Sequence, residues 1–237
     1  MKAAIIIPAY NHARPIAGVV RDCLALGMKV IVVDDGSTDG TGEIIRKMDG
    51  IFVVHHPQNL GKGAALLSGF RLAGAMGCDY ALTIDADGQH DPADAAHLLA
   101  VAVKEKKRCL IIGRRQGMGG KTGGNVPWTS RFGRGFSNFW VWAAGGPKMR
   151  DSQSGFRLYP LPETMNLGVR ARRYQFEVEV LVKAHRAGIA IREVPVGVVY
   201  QKRGERISHF RPWMDFHRNS ATFSRLIFAR IFRTMLP

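Results

Sequence analysis

"KVIVVDDGSTDGT", residues 29–41, carries three signals in one short run. The β-branched stretch Val30 to Val33 has the composition of a buried strand. Two acids, Asp34 and Asp35, close it. A Gly-Ser turn follows, and a helical pattern begins near residue 40. A short apolar strand, a sharp turn and a helix are the repeating unit of a parallel α/β sheet. The unit recurs along the first half of the chain. Strand candidates are "AAIII" (3–7), "KVIVV" (29–33), "IFVVH" (51–55), "YALTI" (80–84) and "CLIIG" (109–113). Helical patterns lie between them, at about 14–26, 40–49, 62–77 and 92–105. The expected fold class is therefore α/β, Rossmann-like, with a mostly parallel sheet and helices on both faces.

Ligands bind such sheets beyond the carboxyl ends of the strands. "PAYN", "DDGSTDG" and "DADGQH" all fall at such ends, so one site would collect all three. After residue 113 the pattern changes. Residues 114–135 are rich in Gly, Arg and Lys and read as a mobile basic loop. An aromatic helix candidate, "FSNFWVWAA", comes next. A loop, "DSQSGFRLY", is followed by a helix around 174–187 and two strand-like runs near 189–200. In the final stretch, Phe216, Phe223, Ile227 and Ile231 fall at roughly helical spacing among Arg218, Arg225 and Arg233.

The charge is divided between the same two parts. The chain has 237 residues and a net charge of +15, yet residues 1–100 sum to −3 and residues 101–237 to +18. That split points to a polyanionic partner for the second part. An apolar share of 46% and a charged share of 22% argue against disorder. No apolar run reaches the length of a membrane span. The N-terminal "MKAAIIIPAYN" reads as the first strand rather than a signal peptide. Cys23, Cys78 and Cys109 show no metal-type or redox-type spacing and suit buried thiols in a reducing cytoplasm.

The chemistry sits with the acids. In "LTIDADGQHDP", residues 82–92, Asp85 and Asp87 are two residues apart, on one face while the chain is extended. Two such carboxylates repel unless a cation lies between them, and hard oxygens suit Mg²⁺ or Mn²⁺. Gln89 would add a neutral oxygen. Asp91 is read as a cap for the helix at 92. Asp34 and Asp35 are candidates to accept from a base N–H or from ribose hydroxyls, with Ser37, Thr38 or Asp39 capping the next helix. "NLGKGAAL" places Lys62 and backbone N–H groups where a phosphate would fit. Four histidines, His55, His56, His90 and His209, are read as turn or surface residues.

Taken in order, "IIIPAYN", "VVDDGSTDGT", "NLGKGAA", "DADGQH" and "DSQSGFRLY" resemble glycosyltransferase family 2 over nearly the whole chain. "DADGQH" followed by "SGFR" is most similar to the dolichyl- and polyprenyl-phosphate sugar synthases. The resemblance implies a GT-A fold, a nucleotide-sugar donor such as a UDP- or GDP-sugar, and a divalent metal held by an Asp-x-Asp motif. It places Pro8, Tyr10 and Asn11 on the rim of the nucleotide pocket, with Asp34 and Asp35 facing base and ribose. It gives Asp85, Ala86, Asp87 and Gln89 to metal and diphosphate, and Arg114 to the phosphates. His12 stands where that branch carries an acid. The implied organisation is one GT-A domain over 1–200, with a donor part at 1–113 and an acceptor part at 114–200. A basic amphipathic segment, 201–237, would follow.

The reaction implied is displacement at the anomeric carbon with inversion. A lipid-phosphate acceptor is already anionic at pH 7 and needs no strong base. Arg131, Arg206 and Ser208 are the acceptor-side candidates. A hydroxyl acceptor needs a base, for which Asp151 and Glu177 are the candidates; each also reads as an ordinary cap, ion pair or solvated helix acid. The basic aromatic tail suits contact with a membrane surface, on its cytoplasmic face. Two other readings compete. A sugar nucleotidyltransferase would show a Gly-rich, Arg-bearing loop where "PAYNHARP" stands. A nucleic-acid-binding module fits the basic charge, but the usual motifs are absent, so no nucleic-acid partner is expected.

Overall fold

Strand β1 (Ala3–Ala9) lies inside the sheet, and its side chains alternate between two cores. Ile5, Ile7 and Ala9 enter one core; Ala4 and Ile6 enter the other. That is the period of two expected when a strand is buried on both faces. In the computed structural model residues 1–116, 128–198 and 212–235 are described, with side chains at 128–134, 212–217 and 233–235 left aside.

Beside β1 lie β2 (Lys29–Asp34) and β4 (Tyr80–Thr83), both parallel to it. The other strands are β3 (Ile51–His55), β5 (Leu110–Arg115), β6 (Arg157–Pro160) and β7 (Ile191–Val196). The sheet order is β3-β2-β1-β4-β6-β5-β7, with β6 antiparallel to both neighbours. β4 and β5 therefore still run the same way. Helices α1 (Ile16–Leu24), α2 (Thr41–Arg46) and α4 (Ala95–Lys104) cover one face. Helices α3 (Lys62–Ala75), α5 (Trp128–Ala143), α6 (Phe176–Arg186) and α7 (Pro212–Met235) contribute to the core on the other. α3 approaches β1 so closely that a Cβ on Gly69 would sit 2.4 Å from Ile6 Cγ2.

The expected α/β sheet with helices on both faces is what the chain forms. Two local readings change. "RLYP" pairs as β6 rather than continuing a loop, because Tyr80 to Thr83 offers it a ladder that sequence spacing does not reveal. Of the basic loop expected at 114–135, residues 114–115 complete β5 and 128–135 belong to α5, while 117–127 lie outside the described residues.

One buried acid fastens α7 to the domain. Glu179, on α6, has no exposed surface. Its carboxylate accepts from the backbone N–H of Arg170 and Ala171, at 3.2 and 2.8 Å. It also pairs with Lys183 at 3.0 Å and with Arg225 of α7 at 2.8 Å. Burial alone would raise its pKa, but the two N–H donors and Lys183 outweigh it and hold the group below the ordinary 4.5. A depressed carboxylate contributes stability that is present above the unfolded value and lost as pH falls through the folded one. Glu179→Gln is thus expected to destabilise the protein by about 3 kcal/mol near neutral pH. The gap between wild-type and variant melting temperatures should close as pH drops below the carboxylate range.

Candidate active site

Because β1, β2, β4 and β5 run the same way, their carboxyl ends share one edge of the sheet. Asp34 closes β2, level with Ala9 of β1; Asp85 follows β4 by two residues; Arg114 and Arg115 close β5. The loop 151–156, which leads into antiparallel β6, arrives at the same edge.

At its centre lies a cation between two acids. Lys62, the first residue of α3, places Nζ 2.6 Å from Asp85 Oδ1 and 2.7 Å from Glu177 Oε1, in the first turn of α6. Burial opposes the charge on Lys62, but the two carboxylates override it and push its pKa upward. Burial would likewise raise Asp85, and the Lys62 ammonium holds it below the ordinary range instead. Loop 151–156 walls Asp85 on its other side: a Cβ on Gly155 would meet Oδ2 at 2.4 Å. Only glycine leaves that space. Asp87 Oδ1 accepts from the Gln89 backbone N–H at 3.0 Å, which closes the turn after the paired acids.

The loop before Lys62 is set by Asp35. Its carboxylate is buried and accepts from Leu60 N at 3.0 Å and Gly61 N at 2.7 Å. It also meets His56 Nδ1 at 2.7 Å, and His56 Nε2 reaches Ser68 Oγ at 2.9 Å. Asp34 accepts from Ser37 N at 3.0 Å and meets His55 Nδ1 at 3.0 Å. At the end of β1, Asn11 takes a left-handed φ of 54° and links to Ser37 and Thr38.

Arg114 offers something different. Its Nε is buried and has no hydrogen-bond partner among the described residues. A buried donor of this kind is a ready position for an anionic ligand. Its neighbour Arg115 is committed: Nε and Nη2 form a fork with Asp151, at 2.7 and 2.8 Å.

The glycosyl transferase family 2 pattern matches residues 4–161, which takes in Asp34, Asp35, Asp85, Asp87 and Asp151 but stops short of Glu177. This chain belongs to glycosyltransferase family 2. It is 31% identical over 215 residues to the UDP-N-acetylglucosamine–dolichyl-phosphate N-acetylglucosaminyltransferase of Methanococcus voltae, covering 83% of this chain and 85% of that one. It is 30% identical over 218 residues to the polyprenol monophosphomannose synthase of Mycolicibacterium smegmatis, covering 86% of this chain and 79% of that one. The solved mannosyl-3-phosphoglycerate synthase from Rubrobacter xylanophilus superposes with a TM-score of 0.65 at 18% identity, over 99% of this chain and 75% of that one. That likeness places the sheet among GT-A folds.

Several residues of the glycosyltransferase sit otherwise than their sequence suggests. Asp151 is an exception, since it takes the ion-pair alternative of its sequence reading, fully buried in its fork with Arg115. Glu177 is not a solvated helix acid; it is buried against Lys62. The Lys62 ammonium rests on two carboxylates rather than standing open to a phosphate. Both oxygens of Asp35 are taken up by its own fold, and the Ala86 side chain lies in the core, which leaves only its backbone for a ligand. Pro8 is buried in β1, and Tyr10 and Gln89 are half-buried at the edge. Arg206, Ser208 and the side chain of Arg131 lie outside the described residues.

Two residues at the site were missed. His90 is buried rather than on the surface, and it stacks on Phe156 at a centroid distance of 5.2 Å. Burial lowers its pKa, against the pull of Asp85. Arg157 is fully buried, and its guanidinium donates to the carbonyls of Ser154, Ser152 and Glu177, fixing loop 151–156 to α6. An Arg right after "SGF" signals an ion pair at most; carbonyl recognition has no sequence signature.

The Arg115–Asp151 geometry makes a distinct prediction. Asp151→Asn is expected to lose about 3–5 kcal/mol of stability, because it leaves a half-buried guanidinium without its charge partner. Chemical denaturation reads this directly. A variant of native stability without activity would instead mark Asp151 as a base.

Proposed function

We propose that this glycosyltransferase moves a sugar from a UDP- or GDP-sugar to a polyprenyl or dolichyl phosphate at a membrane surface, with inversion at the anomeric carbon. The observation that carries this reading is the state of the two candidate bases. Asp151 is locked to Arg115 and Glu177 to Lys62. An acceptor hydroxyl would need one of them free. A phosphate acceptor needs neither, since its oxygen is already anionic. The names of the relatives, which describe dolichyl- and polyprenyl-linked products, support the same acceptor.

In the step envisaged, an acceptor phosphate oxygen forms the new bond to the anomeric carbon. The bond from that carbon to the donor diphosphate breaks, and its electron pair leaves with the nucleoside diphosphate. The residues fit a divalent cation of the Mg²⁺ or Mn²⁺ kind. Among the described residues no cluster of three or more His, Cys, Asp or Glu could hold a metal unaided. Two carboxylates plus Gln89, completed by phosphate oxygens and water, is how such cations are commonly bound beside nucleotides. When bound, the cation would supply charge neutralisation for the leaving diphosphate. Arg114 Nε would donate to the same phosphates, while Asp34 and the 9–11 edge of β1 would border the nucleoside. Arg131, Arg206 and Ser208 would hold the acceptor phosphate.

Membrane contact has its own support. Among the described residues no helix is long and apolar enough to cross a membrane. α7 nevertheless exposes Phe228, Ile231 and Phe232, spaced for one face, and α5 exposes Phe139 and Trp142. Lys148 lies over the Trp142 ring at 5.6 Å. Apolar rings bordered by basic residues suit an anionic interface.

Two experiments test these readings. Incubated with UDP- or GDP-sugars, polyprenyl phosphate and Mn²⁺, the protein should form a polyprenyl-phosphate sugar detectable by mass spectrometry. Asp87→Ala should reduce turnover at least about 100-fold while leaving the fold intact; a product glycosylated at a hydroxyl would replace the phosphate acceptor. In flotation with phosphatidylglycerol vesicles, Phe228→Ser with Phe232→Ser should weaken binding about tenfold or more, through lost apolar insertion. Unchanged flotation would mean that α7 serves the fold alone.

A further inference from the structure

Lys62 and a divalent cation need the same oxygen. Lys62 Nζ lies 2.6 Å from Asp85 Oδ1, the contact a bare metal ion would make at about 2.0–2.1 Å. Asp85 has little room to turn away, since loop 151–156 closes over its Oδ2 at Gly155. The ammonium is equally well placed. Its stem leaves the start of α3, which is pinned by Gly61 N donating to Asp35 at 2.7 Å and by Ala64 N donating to the Arg172 carbonyl at 2.9 Å. Glu177 draws it from the far side at 2.7 Å. Two cations sharing one carboxylate oxygen repel at roughly 4 Å, so occupancy by one weakens the other.

We propose that Lys62 is a built-in competitor for the metal position: in the donor-free protein its ammonium occupies the Asp85 oxygen, and it yields that oxygen when a diphosphate offers it other anionic partners. This rests on the reading of Asp85 and Asp87 as the cation-binding acids of a nucleotide-sugar site. Metal and donor then bind with positive coupling. Either alone meets a carboxylate already neutralised; together they displace the ammonium toward the phosphates, and each raises the affinity of the other by the same factor. The arrangement guards paired acids at a sheet edge against mutual repulsion while the site is empty. It also limits metal binding without substrate.

The test is a titration of Mn²⁺ followed by the electron paramagnetic resonance signal of the free ion, without nucleotide and then with UDP or GDP. Without nucleotide, Lys62→Met should bind Mn²⁺ at least tenfold more tightly than wild type, and Lys62→Met with Glu177→Gln, which removes both charges together, should do the same. The double variant keeps the comparison available if the single variant leaves Glu177 too poorly compensated to fold, as circular dichroism would show. UDP or GDP should raise the Mn²⁺ affinity of wild type by a larger factor than that of either variant. Folded variants that bind Mn²⁺ no more tightly than wild type in the absence of nucleotide would overturn the competition. Tighter Mn²⁺ binding by the variants, with neither nucleotide altering the titration of any protein, would uphold the competition at Asp85 and count against the nucleotide-sugar reading instead.

Discussion

The carboxyl edge of a parallel sheet can gather acids only if something cationic is built in beside them. Here that something is the Lys62 ammonium, 2.6 Å from Asp85 and 2.7 Å from Glu177. One side chain thereby joins the starts of two helices to the end of β4. Its position depends in turn on Asp35, whose carboxylate folds residues 56–61 around itself. Without that turn, α3 would begin elsewhere and the acids would face each other uncompensated.

Charged groups in this glycosyltransferase divide into those that build the edge and those left for a ligand. Arg157, Asp35, Glu179 and the Arg115–Asp151 pair are all buried or nearly so and satisfied within the chain. Such groups are costly to bury and costlier to leave unpaired, so each ties two elements together. Arg114, at the same edge, differs: its buried Nε meets no hydrogen-bond partner among the described residues. The contrast between adjacent arginines separates structure from binding more sharply than either residue type does.

How much was legible follows from which contacts are local. The alternation of strand and helix in residues 3–113 came through because each element carries its own period and its own turn signals. Asp91 was readable as a cap for the same reason: it accepts from Ala93 N, two residues away. The extra strand β6 was not, since its pairing with β4 spans more than seventy residues and its four positions carry no period of their own. Nor was the burial of His90, which depends on Phe156 arriving from the distant loop that leads into β6.

By itself, the sequence determined the class of fold, the sheet edge where the acids meet, and the family to which the chain belongs. These rest on short-range patterns, and the chain writes them in full. Only the tertiary structure decided what each charge faces. It turned Asp35 inward, gave Asp151 to Arg115, set Lys62 between Asp85 and Glu177, and left Arg114 Nε without a partner among the described residues. The reason is physical: a carboxylate reads the same in any sequence, but its role is set by the nearest opposite charge and the nearest N–H. In this fold those come from residues far away along the chain.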